Sequence, residues 1–304
     1  ARSSNKGNFG HVLVVGGTFG AAGGKAGAPA MASLAAMRAG AGLVTAAVPA
    51  TALPVVASFA PELMTWPLAA SKAGEITAAN GTKTKLAALL NGKTVLAIGP
   101  GLGQSSGAAV LLASVLAASE IPVVVDADAL NLLAAKPRVL ASLARQAKAG
   151  RTVVLTPHPG EMARLCRTSV AAIQSNRIEA ASSFAEKLGV IVVLKGWRTV
   201  TAHPNGELAV NTSGNPGMAK GGSGDVLTGL IAGLLAQHTA DPARAVEAAV
   251  CLHGLAADLV VREAEEHTVL PTDTLRELSR AFRFGFYAQN GYVWLQGIAC
   301  SSPA

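Results

Sequence analysis

The sequence predicts an α/β fold: a mainly parallel central sheet with helices on both faces. Short, almost wholly apolar runs alternate with helical stretches along most of the chain, the pattern left by strands buried on both sides. The segments after those runs are rich in glycine and polar residues, as befits loops at the C-terminal strand ends, where ligands gather in parallel sheets. Composition agrees, with 50% hydrophobic and 14% charged residues in 304. Such a chain can bury a large core and is not disordered as a whole.

Taken in order, Ala1 to Gly10 is a polar lead-in, and His11-Val-Leu-Val-Val15 is the first buried strand. It empties into Gly16-Gly-Thr-Phe-Gly20-Ala-Ala-Gly-Gly24-Lys25, which fails the P-loop pattern because Ala26 follows the lysine and Phe19 stands where the first glycine belongs. That loop reads instead as a close-approach surface or a flap over a ligand. Pro29 opens a helix running to Ala39, Gly40-Ala-Gly42 ends it, and Leu43 to Val48 is the next strand. Up to about residue 90 the chain is proline- and alanine-rich and carries no clear period. Thr94–Ile98 is a strand ending in Gly99-Pro-Gly-Leu-Gly103-Gln104, followed by a helix from Gly107 to Ala118. Ile121–Val125 leads to Asp126-Ala-Asp128-Ala-Leu-Asn131, and Arg151–Leu155 to Thr156-Pro-His158-Pro-Gly160-Glu161. The last parallel strand, Gly189–Leu194, ends in Lys195-Gly-Trp-Arg-Thr199, and a hairpin turns at Pro204-Asn205-Gly206 between Thr199–Thr201 and Leu208–Val210. Helices fill the chain to about Arg283.

The final stretch differs. Phe282, Phe284, Phe286, Tyr287, Tyr292 and Trp294 crowd into it although aromatics are 4% of the chain. The expected organisation is therefore one domain over 1–283 and an atypical tail over 284–304.

No apolar stretch reaches the length of a membrane span, since Pro49, Pro54, Pro61 and Pro67 interrupt the early ones. Three cysteines, Cys166, Cys251 and Cys300, are widely spaced without a C-x-x-C, so neither a disulfide framework nor a zinc site is indicated. The net charge of +7 comes from lysines and arginines scattered singly, which argues against nucleic acid and for a phosphorylated small molecule as the acidic partner. The cysteine usage fits a reducing cytosol, so a cytoplasmic location is expected; neither a charged n-region nor a signal-like h-region opens the given sequence. Residue 1 is Ala, which leaves room for a natural start upstream.

The chemistry concentrates in Asn215-Pro-Gly-Met-Ala-Lys220-Gly-Gly-Ser-Gly224-Asp225, which runs into the apolar helix from Val226. Glycines at 217, 221, 222 and 224 let the backbone lie flat against a ligand. The first-turn N–H groups of the helix can hold a phosphate there. Asp225 has two readings: an N-cap, which the position favours, or the base that takes a proton from a hydroxyl attacking a phosphoryl group, with the amides stabilising the charge that develops. Elsewhere, His158 between two prolines is a phosphate donor, a residue packed beside a nicotinamide, or a structural loop histidine. Asp126 and Asp128 orient hydroxyls or a metal-bound water, or make turn hydrogen bonds. Lys195 is a point charge for phosphate or a solvated lysine. The remaining histidines show no ligand spacing and receive no role. No metal-ligating set is indicated.

Together Lys6–Gly20, Arg38-Ala-Gly-Ala-Gly-Leu43, Gly99–Gly103, Asp126–Asn131, Thr156–Glu161, Lys195-Gly196 with Thr199, and Gly221–Asp225 resemble the ADP-dependent NAD(P)H-hydrate dehydratases, from about residue 5 to 280. The resemblance implies a ribokinase-like domain. It places the adenine nucleotide at Lys195, Gly196, Trp197, Arg198, Thr199, Gly222, Ser223 and Gly224, and the hydrated nicotinamide nucleotide at Ala41, Gly101, Gly103, His158 and Asp225. Asp225 becomes the catalytic carboxylate. Trp197-Arg198 and the tail depart from the family's familiar pattern. The implied reaction restores NADH or NADPH from the S form of the 6-hydroxy hydrate (NADHX or NADPHX). It consumes ADP, or ATP in its place, with Mg²⁺, and gives AMP and phosphate. An epimerase, separate or fused, and a homo-oligomeric assembly complete the expected partners; nucleic acid and membrane are not among them. Two rivals remain. A ribokinase-like kinase for a vitamin precursor would leave phosphate on its product, and a non-catalytic nucleotide-binding regulator would bind ADP without forming AMP.

Overall fold

The computed structural model describes residues 3–21, 23–289 and 292–296. Its centre is a nine-stranded sheet. From edge to edge the strands are Leu208–Val210, Val200–Ala202, Ile191–Leu194, Val153–Leu155, Val123–Val125, Val95–Ile98, His11–Val15, Leu43–Pro49 and Met64–Leu68. Every pairing from Ile191–Leu194 to Met64–Leu68 is parallel, and the expected hairpin adds two antiparallel strands at the other edge.

Side chains alternate between the two faces of a strand, so an unbroken apolar run means two cores. Leu13, Val15, Leu96, Ile98, Val123, Val125 and Leu155 point to one face, against Leu111, Leu112, Leu143 and Phe184 from helices. Val12, Val14, Val95, Ala97, Val124 and Val154 point to the other, against Ala32, Ala36, Leu230, Val246 and Leu278. The alanine-rich composition has a packing reason on this second face. Helices Gly27–Arg38 and Ser223–Gln237 touch nearly backbone to backbone: a Cβ on Gly229 would come within 1.9 Å of the Ala32 carbonyl oxygen, and one on Gly233 within 2.6 Å of that of Ala36. This contact fixes where the second helix starts, and hence where the glycine loop ends.

Several local expectations need correction. The helix after the glycine loop begins at Ser223, with Gly222 at the N-cap, so Asp225 is its third residue and not its cap. A left-handed backbone at Gly222 (φ +102°) makes the turn, a conformation open to glycine at little cost. The first long helix starts at Gly27, two residues before Pro29. The region without a clear period holds a helix at Leu53–Ala57, the edge strand Met64–Leu68 and a helix at Lys83–Leu90. Pro67 sits in that strand because an edge needs no donor on its open side. In the tail, Gly285–Gln289 and Tyr292–Gln296 pair as a two-stranded antiparallel ribbon apart from the main sheet; residues 290, 291 and 297–304 lie outside the described residues. Among those described, no helix is long and apolar enough to cross a membrane.

Candidate active site

Four parallel strands end side by side at Gly99, Asp126, Thr156 and Lys195, and the helix start at Ser223 faces them. Val123–Val125 delivers Asp126, which is 1% exposed. Its carboxylate accepts from Thr156 Oγ1 at 2.8 Å, Thr228 Oγ1 at 2.8 Å and Lys195 Nζ at 2.6 Å. Three donors hold it as an anchor for Lys195, leaving it little capacity to orient a substrate hydroxyl. The next residue, Ala127, is held at φ +49°, a left-handed backbone that costs a side-chain-bearing residue about 1–2 kcal/mol.

Asp128 belongs to a second group. Its Oδ2 accepts from Gly103 N at 2.9 Å and pairs with Lys25 Nζ at 3.0 Å, and its Oδ1 accepts from Gln104 Nε2 at 3.3 Å. It ties the Gly99–Gln104 loop to the glycine hairpin that ends at Lys25.

Lys195 leaves strand Ile191–Leu194 and donates its backbone N–H to the Pro157 carbonyl at 2.8 Å. Arg177 braces the same turn by donating to the carbonyls of Leu194 and Lys195 at 3.0 and 3.3 Å. Burial alone would lower the Lys195 pKa. The carboxylates of Asp126, Glu161 and Asp225 outweigh it and raise the pKa above the usual lysine value, so the ammonium is charged.

His158 caps helix Pro159–Cys166. Its Nδ1 accepts from Gly160 N at 3.0 Å, and the Glu161 carboxylate accepts from His158 N at 2.8 Å, a reciprocal cap. A nitrogen that accepts carries no proton, so the hydrogen-bond network assigns the Nε2–H tautomer; Nε2 lies 3.5 Å from Glu161 Oε1. Burial, then the charges of Lys195 and Arg164, lower the His158 pKa against the pull of Asp126. Glu161 is 4% exposed. Burial, with help from Asp126, pushes its pKa up to about 7 even though Lys195 Nζ stands 3.9 Å away.

No side chain caps the helix at Ser223; the Ser223 N–H donates to the Lys220 carbonyl at 3.3 Å, and those of Gly224 and Asp225 are available to an anion. Asp225 projects from that turn. Burial first, then Asp126 and Asp128, push its pKa up to about 7 against Lys195 and Lys25. Gly224 is tight for a simple reason: a Cβ there would sit 3.3 Å from Lys195 Nζ.

Lys195, Gly196, Trp197, Arg198, Thr199, Gly222, Ser223, Gly224, His158 and Asp225 all line one cavity of about 800 Å³. Trp197 is 82% exposed at its rim, with the Arg198 guanidinium 5.1 Å from its ring centroid. Gly101 and Gly103 share the sheet edge but lie outside that lining, on the Asp128 side. Ala41 is not brought to the site. It is 6% exposed among core residues and precedes Leu43–Pro49, at the N-terminal end of a parallel strand and so at the opposite edge of the sheet. Of the readings left open from sequence, Asp225 is not a cap and Lys195 is not solvated. Sequence reasoning gave no role to Thr228, which is three residues beyond Asp225 and hence on the same helix face. It also passed over Arg177 and His253, for which spacing offers no signal.

A parallel sheet whose C-terminal edge faces a glycine-rich helix start, with a carboxylate on the first turn and a buried lysine opposite, defines a protein of the ribokinase-like fold. Within that fold the family is specific. The NAD(P)H-hydrate dehydratase family profile matches residues 12–280, and the chain belongs to that family. The chain is 43% identical to the bifunctional NAD(P)H-hydrate repair enzyme Nnr of Moorella thermoacetica over 92% of its own length and 51% of that protein's. It is 39% identical to the ADP-dependent (S)-NAD(P)H-hydrate dehydratase of Neisseria meningitidis, over 87% of this chain and 81% of that one. Among solved structures, the Bacillus subtilis ADP/ATP-dependent NAD(P)H-hydrate dehydratase crystallised with ATP and Mg²⁺ superposes with a TM-score of 0.75 at 33% identity, covering 93% of this chain and 92% of that chain. The chain thus spans about half the length of the bifunctional relatives it matches.

Proposed function

We propose that this chain dehydrates the S form of the 6-hydroxy hydrates of NADH and NADPH at the expense of ADP, giving the reduced dinucleotide, AMP and phosphate. The observation that carries the reading is Asp225 on the first turn of an uncapped helix, in a cavity shared with Lys195 and His158. The helix start and Lys195 bind the transferable phosphate, and the Asp225 carboxylate takes the proton of the substrate hydroxyl as its oxygen attacks the terminal phosphorus of ADP. AMP leaves with the electrons of the broken P–O bond. The hydroxyl is now a phosphate ester. Its C–O bond breaks with push from the ring nitrogen, and loss of a proton from the neighbouring carbon re-forms the C=C. Hydroxide is a poor leaving group and phosphate a good one, which is why a nucleotide is consumed in a dehydration.

Mg²⁺ belongs to this proposal as an ion carried on the nucleotide. Among the described residues no group of three or more His, Cys, Asp or Glu side chains gathers to hold a metal, and the Asp126 oxygens are already taken. The donor set therefore fits an ion that takes most ligands from phosphates and water, with Asp225 the carboxylate within the phosphate site. When bound it neutralises phosphate charge. An epimerase that supplies the S hydrate, a cytoplasmic location and homo-oligomeric assembly belong to the same reading. The deciding experiment follows absorbance of reduced nicotinamide from the purified hydrate with ADP or ATP and quantifies AMP; a product that retains the phosphoryl group would favour a vitamin-type kinase instead. Complete chelation should abolish turnover, and activity surviving it would remove the ion from the scheme.

A further inference from the structure

Helix Pro242–Val260 buries Ala249, Val250, Leu252, Leu255 and Ala256, and amid these apolar residues stands His253. It is 6% exposed, and it lines the cavity beside Val250 and Gly254. Its Nε2 is enclosed and meets no hydrogen-bond partner among the described residues. Burial first, then the charge of Lys195, push its pKa down to about 4. The ring is neutral at pH 7 and offers one donor and one acceptor.

The backbone around it is held firmly. Gly254 lets the helix press against Ser213, whose Oγ would lie 2.3 Å from an added Cβ. One turn on, Asp258 accepts from Gly214 N at 2.8 Å and from Asn215 Nδ2 at 3.0 Å. A buried polar atom without a partner is destabilising, and a leucine would fit this apolar setting better. The ring lines the cavity, so a turn of the imidazole that uncovers the nitrogen on that side brings it to a partner there. The phosphates are provided for by the helix start and Lys195, and a neutral imidazole adds no charge for them. Leu227 and Val250, which share the lining, suit a flat heterocycle.

We propose that His253 is a binding residue for the nucleoside half of the nucleotide, accepting or donating a hydrogen bond to its base or sugar. A half turn about Cβ–Cγ exchanges Nε2 with a carbon, and either ring nitrogen can serve. This rests on the reading that an adenine nucleotide occupies the cavity.

The test is His253→Leu, with His253→Asn as a second variant that keeps a donor and an acceptor. Calorimetric titration of the Leu variant should weaken ADP and AMP alike by about three- to tenfold, the worth of one hydrogen bond, and the KM for ADP should rise in step. The nucleotide-free Leu variant should melt about 2 °C or more above wild type, because the unpaired atom is gone. His253→Asn should recover part of the affinity. If 2′-deoxy-ADP is insensitive to the Leu change while ADP is not, the partner is the 2′-hydroxyl; equal sensitivity places it elsewhere on the sugar or on the base. Unchanged affinity, or a loss seen with ADP but not AMP, overturns the proposal. If wild type itself fails to bind ADP, the proposed function falls first, which separates the two failures.

Discussion

Asp225→Asn should make the protein slower and more stable at once, and the stability gain should depend on pH. The ordinary aspartate value of 3.8 is raised here to about 7 by burial and by Asp126. The folded protein therefore holds a proton that the unfolded chain gives up. With this sign, the stability tied to Asp225 is fully present below about pH 3.8 and is lost as pH rises to about 7. Each pH unit in that window is worth about 1.4 kcal/mol, so an ionised Asp225 burdens the empty protein by up to about 4 kcal/mol above pH 7. Residual solvent in the cavity reduces this toward about 2 kcal/mol. Asparagine keeps the shape without the charge. Thermal melts at pH 4.5 and pH 8 should show a small difference at the lower pH and a variant higher by about 4–8 °C at the upper one, while steady-state turnover falls by about 10²- to 10⁴-fold. Substrate affinity should change little. A variant with near-normal turnover, or one equally stable relative to wild type at both pH values, would refute the assignment of Asp225 as a strained base.

Lys195→Met leaves Asp126 buried with no cation beside it, so denaturant unfolding at pH 7 should show a loss of about 3–5 kcal/mol, and ADP binding should weaken in any preparation that still folds; an unchanged midpoint would mean that the Asp126 pair is not structural. Gly229→Ala drives a methyl into the Ala32 carbonyl and should cost about 1–3 kcal/mol by denaturant unfolding. Turnover per folded molecule should fall only as far as the helix start shifts; a neutral variant would show that the two helices have slack. The rate at low substrate should rise with pH through an apparent pKa near 7, because the proposed base is the Asp225 carboxylate. Glu161 titrates in the same range but is not among the charges acting on Asp225, so Glu161→Gln should move the midpoint little; a flat profile from pH 5.5 to 8.5 contradicts the base role.

The fold was legible where burial is two-sided. Strands such as Val95–Ile98 are apolar at every position because both faces are covered, and their short length separates them from buried helices. Legibility failed where tertiary contact outranks local signal. Met64–Leu68 carries a proline and is an edge strand by virtue of pairing with Leu43–Pro49 alone. Capping logic misplaced the start of the Ser223 helix because its turn is made by Gly222 and its entry by close packing on Met31, 2.6 Å from where a Cβ on Gly222 would lie. In the site, glycine runs and strand-end residues announced Lys195, His158 and Asp225. Ala41 was carried over on its motif, and only the direction of the Leu43–Pro49 strand shows that the motif lies at the far edge of the sheet. His253 was invisible because one polar residue on an apolar helix face has no period; its meaning depends on what the neighbouring helix leaves empty.

The charges around Lys195 explain why two carboxyls sit poised near neutrality. Asp126, Glu161 and Asp225 all act on one ammonium, and a single cation cannot hold three buried carboxylates ionised in a poorly solvated site. Asp126 keeps that cation because it alone has two threonine hydroxyls as well as the 2.6 Å contact to Nζ. Glu161 spends one oxygen on the His158 amide, and Asp225 faces the cavity, so these two are raised to about 7. A nucleotide phosphate entering without its cation would add negative charge and push Asp225 further toward its protonated, inactive form. Mg²⁺ carried on the nucleotide would offset part of that charge, and under the proposed chemistry less of Asp225 would then be held in its protonated form. The apparent pKa of the pH–rate profile should consequently fall as free Mg²⁺ is raised at fixed ADP. A profile that only scales in height, with its midpoint unmoved, would show that ion and base act independently.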